Sequence, residues 1–286
     1  MTLLRQRMID EMTLRGFSPK THTAYIAAVT GLARYYNRAP DQLCIDHIQA
    51  YLLYCLRDRH LSHATCRQIL NGLRFFYLKT AGWSTADFDL PSPKAKQVLP
   101  EVLSRSELQR LFAFTRNLKH QTLLKTTYAA GLRVSEVVQL RVHDLDSERQ
   151  VIRVEQGKGA KDRYTLLTPS LLGALRAYYK VHRPSVWLFP SNQDPRHALS
   201  IQSAQRIFTR AKQLAGIEKV GGIHALRHSF ATHQLEAGMP IHRLQGLLGH
   251  HAISSTMRYI HLAQLPSYLI EGAADLLATQ DTEVAP

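Results

Sequence analysis

A chain of 286 residues with 36 Lys and Arg against 22 Asp and Glu is long enough for two domains, and its net charge of +14 favours a polyanionic partner. Cys44, Cys55 and Cys66 form no C-x-x-C pair and lack a histidine at zinc-finger spacing, which sets aside a disulfide framework and a structural zinc, leaving buried free thiols in a reducing compartment. The opening MTLLRQRMIDEM has no apolar signal core and no run is long enough to span a bilayer, so a cytoplasmic protein without a membrane partner is expected.

The charge excess is spread along the chain, +4 over residues 1–90, +1 over 91–102 and +9 over the remainder, so both domains should face the polyanion. Nucleic acid is the first candidate, and a basic protein that is merely soluble or one that sits on anionic lipid is the alternative. Residues 1–90 read as four helices. After a segment near Leu3 to Arg15, Ser18-Pro19 opens a helix whose apolar positions Tyr25, Ile26, Val29, Leu32, Ala33 and Tyr36 recur at three- and four-residue steps. Asp46 is the expected cap of the next helix, with Ile48, Tyr51, Leu52 and Leu56 inward. Ser62 caps another, with Ile69, Leu73, Phe76 and Tyr77 inward and Gly82 as its stop. Lys20, Arg34, Arg67, Arg74 and Lys79 could touch phosphates, although a scattered basic face is more often merely solvated.

Residues 91–102 form the linker, because Pro91, Pro93 and Pro100 cannot continue a helix. The second domain, 103–286, opens on Ser104-Arg105-Ser106-Glu107, a capping box for a helix through Phe114. Gly131 then permits a tight break between two helices, placing Arg133 at the start of the second, where an anion is favoured, with Glu136 one turn on. VIRVE (Val151 to Glu155) and RYTLL (Arg163 to Leu167), joined by the Gly-rich QGKGAKD, read as a hairpin whose tip presents Lys158 and Lys161. That turn lacks the spacing of a phosphate-cradling loop, so ATP binding is not expected. Helices follow over Ser170 to Arg183, ended by Pro184, and Ser200 to Ala215, ended by Gly216, with the short buried stretch Val186 to Pro190 between them. Arg206, Arg210 and Lys212 on the second of these helices are possible phosphate contacts.

The most informative stretch is HALRHSFATHQLEAGMPIHRLQGLLGHHAISSTMRYIHL, which gathers His224, Arg227, His250 and Tyr259. Two imidazoles can exchange protons near neutrality, a guanidinium can fork onto phosphate oxygens, and a phenol can attack phosphorus. The H-x-x-R of His224 to Arg227, the Leu248-Gly249-His250 triplet and the tyrosine nine residues further resemble the tyrosine recombinase (phage integrase) family, most nearly its Xer-type bacterial members. The string from Tyr128 to Leu140 is similar to that family's first signature box.

The resemblance implies a mainly α fold with a small β-sheet: an N-terminal four-helix core-binding (SAM-like) domain and an α+β catalytic domain, clamped around DNA. It makes Arg133 and Arg227 the catalytic arginines and Glu136 their buttress. Lys158, with Lys161 as alternate, becomes the acid for the leaving 5′ oxygen. His224 activates the nucleophile Tyr259, and His250 hydrogen-bonds the phosphate. No cofactor is implied. Strands would be cut and rejoined through a covalent 3′-phosphotyrosine and a Holliday junction, by a homotetramer on two double-stranded sites with paired inverted half-sites, alone or with a second recombinase. Ser267 to Ala278 carries the apolar stripe Leu269, Ile270, Ala273, Leu276 and Leu277, which would dock on a neighbour or on its own subunit.

Rival readings are a metal site in this histidine-rich stretch, a noncatalytic DNA-binding protein on the same fold, and a type IB topoisomerase. Glu236 is the one carboxylate between His224 and His261 and the H-E-x-x-H arrangement is absent, which weighs against the first. Intact boxes weigh against the second, and the compact two-domain chain against the third. His228, His233, His251 and His261 are read as structural or DNA-facing, and Tyr268 lies beyond the matched box.

Overall fold

The computed structural model describes residues 2–91, 100–155 and 162–263, which are mainly helical with one three-stranded antiparallel sheet. The chain divides into the units Met1–Val98 and Leu99–Pro286, a boundary inside the proline-rich segment. Among the described residues no helix is long and apolar enough to cross a membrane.

The first unit holds α1 (Leu3–Leu14), α2 (Pro19–Tyr36), α3 (Ile45–Arg57) and α4 (His63–Phe75). Ser18 and Ser62 cap α2 and α4, each side chain accepting the backbone N–H three residues on, so the two serine signals act as read. The core closes on Leu32, Ile48, Cys55, Leu70 and Leu73, joined by Phe76 and Tyr77 from a π-helical turn that extends α4 to Thr80. Three expectations are corrected. The cap of α3 is Cys44, whose backbone N–H donates to the His47 ring at 3.2 Å, and Asp46 falls in the first turn, where its charge still suits the helix N-terminus. Cys44 is exposed at that cap, whereas Cys55 and Cys66 are buried. Arg74 is a structural tie, donating to the Leu90 carbonyl at 3.1 Å and lying over the Phe88 ring.

The second unit begins with α5 (Arg105–Phe114), opened by the Ser104/Glu107 capping box, and α6 (Leu118–Ala129). After the break at Gly131 come the short α7 (Val134–Val138) and the strands β1 (Leu145–Asp146), β2 (Val151–Val154) and β3 (Arg163–Leu166), in the order β1-β2-β3. β2 and β3 form the expected hairpin, pairing Val151 with Leu166 and Val154 with Arg163. β1, two residues long, carries too little alternation to be seen in sequence. Then follow α8 (Pro169–His182), α9 (Ile201–Leu214), α10 (His224–Glu236), α11 (Ile241–Leu248) and α12 (Ser254–Met257). Thr168 caps α8, and the Thr-Pro pair there repeats the Ser-Pro signal of α2. On α9, Lys212 is spent on the Lys219 carbonyl.

Three local ties bring distant segments to one place. Gly131 sits at φ +61°, and a Cβ there would lie 2.4 Å from the Phe230 ring, so only glycine lets α10 rest against the α6–α7 break. Thr165 of β3 donates to the Ala130 carbonyl at 2.8 Å, fixing the hairpin to the same break. Ser229 accepts the Leu103 N–H at 2.8 Å, tying α10 to the start of the unit.

Candidate active site

The buried carboxylate of Glu136, on α7, is the hub of the site. Its Oε1 accepts from Arg133 Nη1 at 2.6 Å and Arg163 Nη1 at 2.9 Å, and its Oε2 accepts from the Arg133 backbone N–H at 2.7 Å and Arg163 Nη2 at 2.8 Å. Arg227 Nη1 stands 3.7 Å from Oε2. Burial would raise the Glu136 pKa, but the bonds from Arg163 and the surrounding guanidiniums overcome it and hold the group at about 2. One negative charge thus organises three positive ones. The surplus is what a phosphate would neutralise.

Arg227, 3% exposed, is held from three sides: Nη1 donates to the Gly131 carbonyl at 2.7 Å, and Nη2 donates to the Leu248 carbonyl at 2.6 Å and to His250 Nε2 at 3.1 Å. Burial, then the neighbouring Arg133, lowers its pKa to about 10, which still leaves it charged at neutral pH. Because a guanidinium only donates, His250 Nε2 must accept, so the ring's hydrogen sits on Nδ1 and is given to Thr256 Oγ1 at 2.9 Å. Burial and then Arg227 depress the His250 pKa to about 3, keeping the ring neutral.

Gly249 makes this turn possible. It ends α11 at φ +63°, and a Cβ would fall 2.7 Å from Cδ of Arg163, which also donates through Nε to the Leu247 carbonyl. The Leu-Gly-His triplet therefore serves two ends: its glycine admits the arginine that braces Glu136, and its histidine meets Arg227.

Tyr259 follows α12 and is 2% exposed, packed with Phe230, Ala231, Leu244 and Leu248. Its ring is nearly parallel to that of His250, with centroids 6.3 Å apart. The phenol oxygen lies 2.9 Å from His228 Nδ1. Burial raises its pKa against the lowering pull of Arg227, Arg258 and Arg133, so the phenol keeps its hydrogen. His224 lies one turn away on α10, its ring centroid 6.5 Å from that of His228, and burial followed by Arg227 lowers its pKa.

Of the sequence-derived residues, Arg133, Arg227, His250 and Tyr259 converge on this cluster, with His224 at its edge. Lys158 and its alternate Lys161, and the apolar tail from Ser267 to Ala278, lie outside the described residues. Arg163 carries no role in the sequence-derived set, and His228 stands there only as a structural or DNA-facing residue. A helical wheel could have found the second, since His224, Arg227 and His228 share one face of α10. The first had no local signal, standing 27 residues from its carboxylate. His233, in contrast, is structural, paired with the Tyr128 hydroxyl at 2.9 Å. Among the described residues, the one group close enough to hold a metal is His143, Asp144 and Glu155, none of which is a signature residue, and Glu155 is bridged by Arg153 and Arg141.

Residues 101–265 match the phage integrase family, and residues 4–85 match the phage integrase N-terminal SAM-like domain. The chain is 42% identical over 265 residues to the putative integrase/recombinase y4qK of Sinorhizobium fredii, covering 92% of this chain and 85% of that one. It is 34% identical over 253 residues to the tyrosine recombinase XerA of Thermococcus kodakarensis, covering 87% and 86%. A lambda integrase tetramer bound to a Holliday junction shares the fold, with a TM-score of 0.74 at 18% identity over 90% of this chain and 76% of that one.

Proposed function

The chain belongs to the phage integrase family and is a tyrosine site-specific recombinase; from that premise we propose that Tyr259 is the nucleophile and that Arg133 and Arg227 hold the scissile phosphate. The observation that carries this reading is the convergence of a buried phenol, two imidazoles and the Glu136-bound guanidiniums. As the phenol oxygen attacks, negative charge grows on the nonbridging oxygens, and preset guanidiniums stabilise it without reorganising. The 5′ oxygen leaves with a proton from Lys158, and the strand remains attached through its 3′ phosphate to Tyr259. The phosphoester is conserved, so a 5′ hydroxyl from another strand can reverse the step without ATP.

His250 completes the phosphate site. Phosphate oxygens arriving on Arg227 would take over the hydrogens now given to His250 and release Nε2, and the Thr256 hydroxyl, able to donate or accept, lets the ring move its hydrogen to Nε2. His224 faces the same oxygens. Both domains, 1–90 and 103–286, contact double-stranded DNA in this reading, with 91–102 as the linker. Four copies act in the cytoplasm on two sites of inverted half-sites, through a Holliday junction.

The test uses a nicked duplex selected for binding from random-sequence DNA, in which cleavage traps the protein on the strand. Tyr259→Phe should abolish the covalent species while DNA affinity stays within about threefold, since one hydroxyl is removed from a site carried by many phosphate contacts. Undiminished trapping by that variant would dismiss Tyr259 as nucleophile.

A further inference from the structure

The phenol of Tyr259 needs a proton acceptor, and His228 is the side chain in contact with it. We infer that His228 Nδ1 takes the phenolic proton as Tyr259 attacks phosphorus and returns it when the strand is rejoined. The inference rests on Tyr259 being the nucleophile and concerns only how that nucleophile is activated.

The geometry is specific. His228 and Tyr259 stand 31 positions apart in sequence, yet Nδ1 and the phenol oxygen are 2.9 Å apart, the distance of a formed hydrogen bond. Their ring centroids are 5.7 Å apart. A general base must lie within hydrogen-bond reach of the proton it removes, and His228 meets that condition before any rearrangement. The His224 ring centroid lies 6.5 Å from that of His228, and it is His228 that the phenol oxygen meets at hydrogen-bond distance.

Both partners are neutral, and their hydrogen-bonding capacity sets which way the bond runs. The groups facing His228 are His224 and Arg227 on its own helix, with Arg258 and Tyr259 from the segment after Gly249. Burial first, and then His224 and the two arginines, hold the imidazole neutral at pH 7. The phenol is protonated. In the arrangement that satisfies both groups, Tyr259 O–H donates to Nδ1 and the ring hydrogen of His228 lies on Nε2. A lone pair therefore already points at the hydrogen to be removed. In the free protein the nearby cations keep this base weak. A bound phosphodiester brings negative charge onto Arg133 and Arg227, weakening the repulsion that an imidazolium at His228 would meet, so basicity rises when substrate is in place.

The proton balance closes. In cleavage the Tyr259 O–H bond breaks and its proton moves to Nδ1, the bond from the phenol oxygen to phosphorus forms, and the bond from phosphorus to the 5′ oxygen breaks, that oxygen being protonated by Lys158. In rejoining, the incoming 5′ hydroxyl returns its proton to the lysine, and the departing phenolate recovers its own from His228. No oxidant, metal or additional acid is required.

The test measures single-turnover formation of the covalent complex against pH on the same nicked duplex, for the full chain and for His228→Gln, His224→Gln and His228→Gly. His228→Gln should retain DNA binding yet lose about 10²–10³ in rate, as removal of a general base does. Its residual rate should climb tenfold per pH unit through the neutral range, as the phenol must ionise unaided, where the wild-type rate is flat. Free imidazole should restore part of the rate to His228→Gly. His224→Gln should keep the wild-type pH profile. A His228→Gln enzyme with wild-type rate and profile, or a His224→Gln enzyme that alone loses the flat pH profile, would overturn the inference. Because Tyr259→Phe is scored separately for any covalent species, a failure of the nucleophile assignment is distinguishable from a failure of this one.

Discussion

The cluster around Glu136 and the segment after Gly249 differ in how they are held. Around Glu136, charged bonds cross between α7, β3 and α10, and each arginine has several partners: Arg163 reaches the carboxylate twice and the Leu247 carbonyl once, and Arg227 meets two carbonyls and an imidazole. The Tyr259 segment is fastened by the pairs His250 to Thr256 and His228 to Tyr259, and it leaves Ile253, Met257 and Ile260 exposed while burying the tyrosine. The contrast fits the chemistry. In the proposed reaction the charges that meet a phosphate in one geometry are fixed in advance, whereas the oxygen that moves onto phosphorus and back is held by contacts that can be exchanged.

Glu136→Gln should break this contrast most severely. The neutral amide would leave Arg133, Arg163 and Arg227 facing one another without their shared anion, and removing one partner of a buried ionic cluster costs about 3–5 kcal/mol. Urea unfolding should show that loss, with covalent-complex formation reduced more than a hundredfold. A variant within about 1 kcal/mol of wild type, the scale of an exposed pair, would mean that the cluster is not an anchor.

Acid should separate the two regions without mutation. His228 is held at about 4 by burial and then by its His224 neighbour, and His250 at about 3 by burial and then Arg227, while an unfolded histidine titrates near ~6.5. Below ~6.5 the unfolded chain therefore binds protons that the folded segment refuses. Stability contributed by these rings is present above that pH and falls as the pH drops toward 4 and then 3. Glu136 follows later: its depressed pKa of about 2 stabilises the fold above the unfolded carboxylate value of ~4.3, and the contribution is lost as pH falls toward 2. Thermal melts from pH 7 to 2 should decline first by the histidine step and then by the carboxylate step. Burial also lowers the pKa of His120, His224 and His233 and adds to the first step, so the decisive quantity is the difference between wild type and a His228→Asn, His250→Asn double variant. Parallel curves between pH 6.5 and 4 would sink the account of the Tyr259 segment.

What the sequence disclosed follows the same division. Signals carried by neighbouring residues were readable: the serine caps, the Ser104/Glu107 box, the hairpin, the glycine breaks and the two signature boxes all reside within a few residues of chain. Asp46 is the expected cap because a carboxylate caps helices more often than a thiol, whereas the His47 ring is the partner that decides for Cys44. The brace supplied by Arg163 was invisible, since it depends on β3 lying against α7 and on a glycine elsewhere making room for its stem. Which of His224 and His228 meets the phenol depends on the position of a tyrosine 31 residues beyond the second of them, which helical spacing cannot supply.

The smallest expected effect tests the joint between the two regions. Thr256 is buried, and its hydroxyl accepts the hydrogen on His250 Nδ1, so this one bond selects which imidazole nitrogen faces Arg227. Thr256→Val keeps the shape and removes the acceptor, leaving a buried N–H unsatisfied at a cost of about 1–3 kcal/mol unless the ring changes tautomer. If the ring changes, the hydrogen moves to Nε2 and confronts Arg227 in the free protein, yet that is the form suited to donate to a phosphate oxygen. The two consequences oppose each other: stability falls by about 1 kcal/mol in urea unfolding, and single-turnover cleavage changes by less than about tenfold because substrate rewards the tautomer that the free protein disfavours. ¹⁵N chemical shifts of the His250 ring would report the exchange directly. If Thr256→Val slowed cleavage as much as Glu136→Gln does, the imidazole would have to be counted with the fixed charges, and the division between a rigid phosphate site and an adjustable nucleophile would move one residue toward the tyrosine.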